Sequence, residues 1–158
     1  MTSRAYIGLG ANLGADLGAT LTQAALKLAV LDGTQVHALS SLWRSAPVDA
    51  EGPDFVNAVA AVDTTLAPLD LLDALQAIEQ AHGRERPYRH APRTLDLDLL
   101  LYDDVVLDTP RLTLPHPRLG ERAFVLRPLL EVAPHLIGLA AGQAWQTQRI
   151  ERLGPLSL

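Results

Sequence analysis

The stretch RTLDLDLLLY, residues 93–102, has the composition of a buried strand but carries two aspartates among its leucines. In a β-strand, residues two apart point to the same face, so Asp96 and Asp98 share one face and the leucines around them share the other. At a rise of ~3.3 Å per residue, the two aspartate Cα atoms lie roughly 6.6 Å apart. Two like charges at that distance repel by about 2.5 kcal/mol at an effective dielectric constant near ~20. The pattern therefore predicts that cations lie close to this strand.

The rest of the chain places this strand last in a β-α-β-β-α-β order. Strands are predicted over 5–10, 34–45, 55–64 and 94–102, with a turn over 10–14. Helices are predicted over 16–33 and 68–83, followed by a turn, a short strand and an extended arm over 103–117, a third helix within 122–134, and a less patterned cap. We expect one domain, 1–158, of the α+β class: a ferredoxin-like core whose antiparallel sheet is flanked by helices, with a C-terminal extension.

Two helix starts have recognisable signals. Asp16 is a candidate N-cap for the first helix, which Gly33 can end. Pro68 suits the first turn of the second helix. The apolar face predicted for this second helix consists of Leu69, Leu72, Leu75 and Ile78.

Composition excludes several classes of function. The formal net charge is -5, which argues against a general nucleic-acid binder. There is no apolar run of the length that crosses a membrane and no signal-peptide pattern at the N-terminus. Cysteine is absent, which excludes thiol catalysis and cysteine-ligated zinc. We therefore expect a cytoplasmic monomer that has neither nucleic acid nor membrane as a partner.

An arginine-rich loop leads directly into the aspartate strand. Four arginines lie within ten residues and are offset by Glu85 alone: Arg84, Arg86, Arg89 and Arg93. Carboxylates suit Mg²⁺, which completes its coordination with waters and phosphate oxygens, and guanidinium groups bind phosphates. Each feature also has an ordinary structural explanation, a strand with one wet face and a solvated charged loop. Taken together, they predict a site for an Mg–nucleotide.

Other familiar motifs do not match. The stretch GLGANLG, residues 8–14, lacks the G-x-G-x-x-G spacing because its third glycine comes one residue late, so we interpret these as turn glycines. No Walker A loop, zinc-type histidine spacing or G-x-S-x-G elbow is present in the sequence.

Five segments together carry a resemblance to a known family. They are YIGLGANLG (6–14), SSLWRSAPV (40–48), GPDFVNAVAAVDT (52–64), GRERPYRHAPRTLDLDLLLYDD (83–104) and LTLPHP (112–117). In this order they closely resemble the 6-hydroxymethyl-7,8-dihydropterin pyrophosphokinases of folate biosynthesis, over about residues 5 to 137. The resemblance implies transfer of pyrophosphate from ATP to the hydroxymethyl group of the pterin, with release of AMP and with two Mg²⁺ ions.

The resemblance also implies a role for each matching residue. Asp96 and Asp98 would bind both Mg²⁺ ions and, with Arg84 and Arg93, would form the catalytic set. The implied ATP-binding positions are Gln76, Glu79, Arg84, Arg86, Arg93, Arg111, Thr113, His116 and Arg122. The implied pterin-binding positions are Ser45, Ala46, Val48, Phe55, Asn57 and Phe124. Independently of the family, a flat heterocycle requires aromatic faces and an amide that offers both a donor and an acceptor.

Four positions depart from the family pattern. His90 and Ala91 stand where the family has tryptophan and glycine, which reduces the stacking area and removes backbone freedom from the loop. Pro117 replaces a frequent tyrosine, and Phe55 keeps the ring of a tyrosine without its hydroxyl. Two other functions remain open at this stage: a different Mg-nucleotide transferase, which would release pyrophosphate, and a non-catalytic ferredoxin-like module that binds nucleotide.

Overall fold

The computed structural model describes residues 1–12, 16–46, 54–82, 95–139 and 144–156. The strands are β1 (Ser3–Ala11), β2 (Thr34–Leu39), β3 (Ser41–Ser45), β4 (Phe55–Thr64), β5 (Asp96–Tyr102), β6 (Leu107–Asp108), β7 (Thr113–Leu114) and β8 (Ile150–Pro155). The α-helices are α1 (Leu17–Ala29), α2 (Pro68–Ala81) and α3 (Ala123–Val132), and two 3-10 helices span Pro134–Leu139 and Ala144–Thr147. Within these ranges, no helix is long and apolar enough to cross a membrane.

One antiparallel sheet forms the centre of the fold. Its strands lie in the order β5-β1-β4-β3-β8, and β2 pairs with the part of β4 that β3 leaves free. The short strands β6 and β7 pair separately. Since β2 and β3 together occupy the place of the second predicted strand, this is the predicted ferredoxin-like order. The α+β class and the antiparallel sheet are confirmed.

The two faces of β1 are buried in two different hydrophobic clusters. Ile7 and Leu9 are buried in a cluster with the apolar faces of α1 and α2. Tyr6 points the other way and is buried in a second cluster, which contains Leu126 and Leu129 of α3. Alternation along the strand therefore turns Gly8 and Gly10 toward the α3 side of the sheet.

The predicted helix starts are confirmed. The Asp16 carboxylate accepts the N–H of Ala19 at 3.0 Å, and Pro68 is the first residue of α2. The predicted face of α2 was wrong in one residue, since Leu69 is 39% exposed and Leu71 is fully buried in its place. The helical i, i+4, i+7 row that contacts the sheet begins at Leu71.

Three predicted boundaries were also wrong. Helix α1 ends at Ala29, before the Gly33 that was predicted to end it. The second predicted strand is interrupted at Ser40, whose buried hydroxyl accepts the Val59 N–H at 2.8 Å and donates to the Ser41 carbonyl at 2.7 Å. These bonds satisfy the backbone where the ladder breaks. Gly10 lies inside β1, which continues to Ala11, and does not begin a turn.

The C-terminal cap contains a strand, β8, and α3 is tied to its neighbour β3 by Glu131. The Glu131 carboxylate accepts the Ser41 N–H at 2.9 Å, the Ser41 hydroxyl at 2.6 Å and the Trp43 indole N–H at 3.0 Å. Arg152 of β8 donates to the same serine hydroxyl at 2.8 Å. Burial raises the pKa of Glu131, but the hydrogen bonds from Ser41 and Trp43 and the charge of Arg152 outweigh it, so the pKa lies below its usual value.

This pKa predicts a pH-dependent contribution to stability. A carboxylate whose pKa is lower in the folded state stabilises the fold above its unfolded pKa, and this is lost as the pH falls through the folded value. Glu131→Gln should therefore lower Tm at neutral pH, and the difference from wild type should shrink as the pH falls below about 4.5. Thermal unfolding across that pH range measures the Tm difference between Glu131→Gln and wild type. The exposed Asp32→Asn is the control. A Tm difference that stays constant with pH would contradict the role of the charge.

Candidate functional site

Asp96 and Asp98 lie where the sequence predicts, on one face of β5. Both are partly exposed, whereas Leu95, Leu97 and Leu99 are buried in the cluster on the opposite face. The antiparallel register sets Asp96 opposite Gly10 and Asp98 opposite Gly8. The carboxylates therefore stand beside the part of β1 that carries no side chains. The predicted alternation of this strand is confirmed.

The glycines of β1 open a cavity of about 230 Å³ on the α3 side of the sheet, hereafter the first cavity. Gly10 is also in register with Asn57 of β4, and a Cβ atom at position 10 would lie 2.6 Å from the Asn57 side-chain nitrogen. Glycine is required there because the amide occupies the space that a side chain would need. Sequence reasoning missed Gly8 and Gly10 as site residues, although their alternation with Ile7 and Leu9 could have indicated them.

The first cavity brings together most of the residues predicted to bind a pterin. Its lining includes Ser45, Ala46, Phe55, Asn57, Asp96, Asp98, Arg122 and Phe124. Two polar atoms of the described residues, Asn57 Oδ1 and Ser45 Oγ, are buried there without a hydrogen-bond partner. A buried acceptor without a partner is costly, so this wall is suited to a ligand that donates hydrogen bonds.

A second cavity, of about 220 Å³, shares Asp98 with the first. It is lined by residues that include Asp98, Arg111, Thr113 and His116. Asp98 thus lines both cavities. Three of the residues predicted to bind a nucleotide are brought to one wall beside a carboxylate.

Arg111 is held from both sides. Its turn is closed by Thr109, whose hydroxyl donates to the Leu112 carbonyl at 2.9 Å and accepts the Leu112 N–H at 3.0 Å. Its guanidinium donates to Asp73 at 2.5 Å and approaches the Gln76 carbonyl oxygen at 3.5 Å. Gln76 therefore lies beside Arg111, and Asp73 is a neighbour that the sequence did not indicate.

A bulge in β5 positions His116. Ile7 pairs with Leu99 and Tyr6 with Leu101, so Leu100 is an extra residue in the ladder, and its carbonyl accepts the His116 N–H at 2.9 Å. The bulge therefore docks the arm that carries His116 against the aspartate strand.

The His116 ring is a neutral donor. Its Nδ1 accepts the Arg118 N–H at 3.3 Å, which leaves the ring proton on Nε2. Burial lowers the pKa of His116, and the charges of Arg122 and Arg118 lower it further against the opposing effect of Asp96. His116 can thus donate one hydrogen bond at neutral pH without carrying charge.

Arg122 faces Asp98 from the helix side of the first cavity. Its guanidinium lies 5.3 Å from the centre of the Phe124 ring, within the range of a cation–π contact. Burial and the charge of Arg118 lower the pKa of Arg122, against the attraction of Asp98 and Glu121. An arginine remains charged in any protein environment, so Arg122 supplies a partly desolvated cation to the site.

Glu79 occupies an unexpected place for a nucleotide-binding residue. It is 3% exposed, and its carboxylate accepts the N–H of Leu97 at 2.9 Å. Leu97 lies between the two aspartates in β5, so this hydrogen bond ties α2 to the strand at the position between them. Four other predicted residues, Val48, Arg84, Arg86 and Arg93, lie outside the described residues.

The site offers two carboxylates for a metal ion. Within the described parts of the chain, no group of three or more His, Cys, Asp or Glu side chains is arranged to hold a metal by itself. Mg²⁺ usually takes one or two carboxylates and completes its shell with waters and phosphate oxygens. The donor set of Asp96 and Asp98 fits that ion.

Comparison with known proteins agrees with this geometry. Residues 6–134 match the family 7,8-dihydro-6-hydroxymethylpterin-pyrophosphokinase (HPPK). A 2-amino-4-hydroxy-6-hydroxymethyldihydropteridine pyrophosphokinase of Pseudomonas aeruginosa is 51% identical over 137 residues, which cover 86% of this chain and 84% of the relative. The protein of the same name from Haemophilus influenzae is 45% identical over 135 residues, covering 84% and 83%. The chain belongs to the 7,8-dihydro-6-hydroxymethylpterin-pyrophosphokinase family.

A solved structure shares the fold. The crystal structure of a Plasmodium falciparum HPPK-DHPS triple mutant superposes with a TM-score of 0.67 at 15% sequence identity. The match covers 85% of this chain and 40% of that one, so this chain spans less than half of the Plasmodium protein. At this identity the likeness establishes the fold alone.

The position of Glu79 generates a prediction. Glu79→Leu would leave the buried Leu97 N–H without its acceptor, and an orphaned buried donor costs about 1–3 kcal/mol of unfolding free energy. We expect denaturant unfolding to show a loss of that size, with Glu79→Gln retaining most of the stability. The control is Gln76→Leu on the exposed face of the same helix. Equal stabilities for Glu79→Leu and Gln76→Leu would contradict the supporting role.

Proposed function

We propose that this protein transfers pyrophosphate from ATP to the hydroxymethyl group of 6-hydroxymethyl-7,8-dihydropterin and releases AMP, as a step of tetrahydrofolate biosynthesis. The observation that carries the proposal is that Asp98 lines two adjacent cavities of different chemistry. The first offers aromatic rings and a buried amide, which suit a flat heterocycle. The second offers an arginine, a threonine and a histidine, which suit phosphates.

The pterin would occupy the first cavity. Phe55 and Phe124 would cover its two faces, and Asn57 would pair with its hydrogen-bonding edge. The buried Asn57 oxygen that has no partner among the described residues supports this, because the ring edge would supply the missing donor. Ser45 and Ala46 line the same cavity and would contribute polar contacts, with Val48 from the segment that follows.

The triphosphate of ATP would lie toward the second cavity. Arg111, Thr113 and His116 would bind it from one side and Arg122 from the other, with Gln76 orienting Arg111. Arg84 and Arg93 would grip the triphosphate as loop arginines, with Arg86 beside them. Glu79 would contribute through β5, since its carboxylate is bound to the backbone between the two aspartates.

Asp96 and Asp98 would hold two Mg²⁺ ions, which when bound neutralise charge on the phosphate oxygens. The pterin hydroxyl oxygen attacks the β-phosphorus and a new O–P bond forms. The bond between the β-phosphorus and the oxygen that bridges the α- and β-phosphates breaks, and AMP leaves with that oxygen. The hydroxyl proton passes to solvent. The protein's contribution is then mainly positioning of the two substrates and stabilisation of charge.

The proposal extends to the domain organisation, oligomeric state, compartment and partners of the protein. We take residues 1–158 to act as one domain and as a monomer in the cytoplasm. ATP and the pterin would be its binding partners, without nucleic acid or membrane.

An assay of AMP release tests the proposal. With ATP, Mg²⁺ and 6-hydroxymethyl-7,8-dihydropterin, we expect AMP to form only when the pterin is present. Release of pyrophosphate would indicate a nucleotidyltransferase, and ATP binding without any product would indicate a binding module. Either result would overturn the proposed reaction.

Asp98 should be essential to the chemical step. Asp98→Ala removes a carboxylate that faces both cavities, and we expect single-turnover AMP formation to fall by about 10³-fold or more, equivalent to ~4 kcal/mol of transition-state stabilisation. The matched control is Asp108→Asn, an exposed acid on β6. Near-normal turnover by a folded Asp98→Ala variant would exclude the metal role.

Gly10 should control binding of the pterin. A methyl group at position 10 would collide with Asn57 Nδ2, which is the movable end of a side chain, so Gly10→Ala should fold but displace the amide. Losing a hydrogen bond to a buried group costs about 1–3 kcal/mol, and we expect the KM for the pterin to rise about tenfold with the KM for ATP little changed.

Gly8→Ala provides the control for this substitution. At position 8 the nearest atom to a new Cβ would be Leu100 Cδ1 at 3.5 Å, an ordinary contact. Equal effects of the two substitutions on the KM for the pterin would show that the Asn57 clash is not the cause.

A further inference from the structure

The N-terminus of α3 is capped by a residue from the C-terminal part of the chain. The N-cap residue of this helix, Arg122, makes no side-chain capping bond. Instead the Gln148 side-chain oxygen accepts the Ala123 N–H at 2.8 Å, and its side-chain nitrogen donates to the Glu121 carbonyl at 2.9 Å. One amide therefore binds the backbone on both sides of Arg122.

Gln148 is itself firmly placed. Its backbone N–H donates to the carbonyl of Trp145. Trp145 is 5% exposed and belongs to the same hydrophobic cluster as α3. The Arg127 guanidinium lies 5.1 Å from the Trp145 ring centre. On the other side, β8 begins at Ile150, which pairs with Ser45 at the edge of the first cavity. Gln148 is thus fixed between α3, which lines the first cavity, and β8, which pairs with the strand that carries Ser45.

Two of the groups on which the proposed reaction depends lie in or next to the backbone that Gln148 binds. Arg122 and Phe124 both line the first cavity, and the arginine lies over the phenylalanine ring. A half-buried guanidinium can adopt many rotamers, and electrostatic stabilisation of a reaction requires donors that are held in place beforehand. Fixing the backbone on both sides of Arg122 sets the direction of its Cα–Cβ bond, so that only the side-chain rotamers remain to be ordered.

We infer that Gln148 is a positioning residue, which holds Arg122 against the polyphosphate of ATP through its two backbone hydrogen bonds. The inference rests on the proposed function, in which Arg122 binds ATP. It concerns a residue beyond the part of the chain that matches the family, which ends at residue 134. The C-terminal segment thereby becomes part of the ATP site without touching the substrate.

A double-mutant cycle tests the inference. Gln148→Leu removes both hydrogen bonds and keeps a similar volume, and we expect kcat/KM for ATP to fall about tenfold. In an Arg122→Ala background, the same substitution should change kcat/KM less than twofold, because the group that Gln148 positions is gone. A merely structural effect would lower kcat/KM by the same factor in both backgrounds, and that result would overturn the inference.

Further variants keep the test decisive. Gln146→Leu, an exposed glutamine of the same segment, should leave kcat/KM unchanged. If Gln148→Leu does not fold, Gln148→Glu takes its place in the cycle, since it keeps the acceptor for Ala123 and loses the donor to Glu121. Wild-type activity for Gln148→Glu or Gln148→Leu would contradict the inference.

The affinity for a non-hydrolysable ATP analogue separates this inference from the proposed reaction. If wild-type protein releases no pterin-dependent AMP, the proposed reaction fails, and the same cycle is then evaluated with the dissociation constant of the analogue. Non-additive losses of affinity would support Gln148 as a positioning residue, and additive losses would refute it. If wild-type protein is active but the kinetic cycle is additive, the inference alone fails.

Discussion

The site depends on one constraint, the register of three antiparallel strands. Gly10 of the central strand β1 is paired with Asn57 on one side and with Asp96 on the other. Because glycine has no side chain, the space between the Asn57 amide and the Asp96 carboxylate is left open as part of the first cavity. A slip of one residue in either pairing would turn one of these groups into the core. The buried leucines on the opposite face of β5 resist such a slip, because it would expose them.

The sequence was informative where a local pattern has one physical meaning. Alternation in a strand placed Asp96 and Asp98 on one face, since the side-chain period of a strand is two. Cap and proline signals located the starts of α1 and α2. The resemblance to a family then indicated residues far apart in sequence, such as Asn57 and Phe124, which the structure brings to one cavity.

The sequence was uninformative where meaning depends on neighbours in space. Gly8 and Gly10 read as turn glycines, because a glycine within a strand shows its purpose only when the amide beside it is known. The resemblance implied that Glu79 binds ATP, whereas its carboxylate is buried against a backbone N–H of β5. The role of Gln148 required a contact between segments more than twenty residues apart, which no local pattern encodes.

A crystal structure with an ATP analogue, 6-hydroxymethylpterin and Mn²⁺ in place of Mg²⁺ would test the central claim most directly, because anomalous scattering from manganese locates the ions. We expect both ions to coordinate oxygens of Asp96 and Asp98 and also oxygens of the phosphates. We also expect the pterin between Phe55 and Phe124, hydrogen-bonded to Asn57. Ions bound away from both aspartates, or a pterin outside the first cavity, would contradict the assignment of the site.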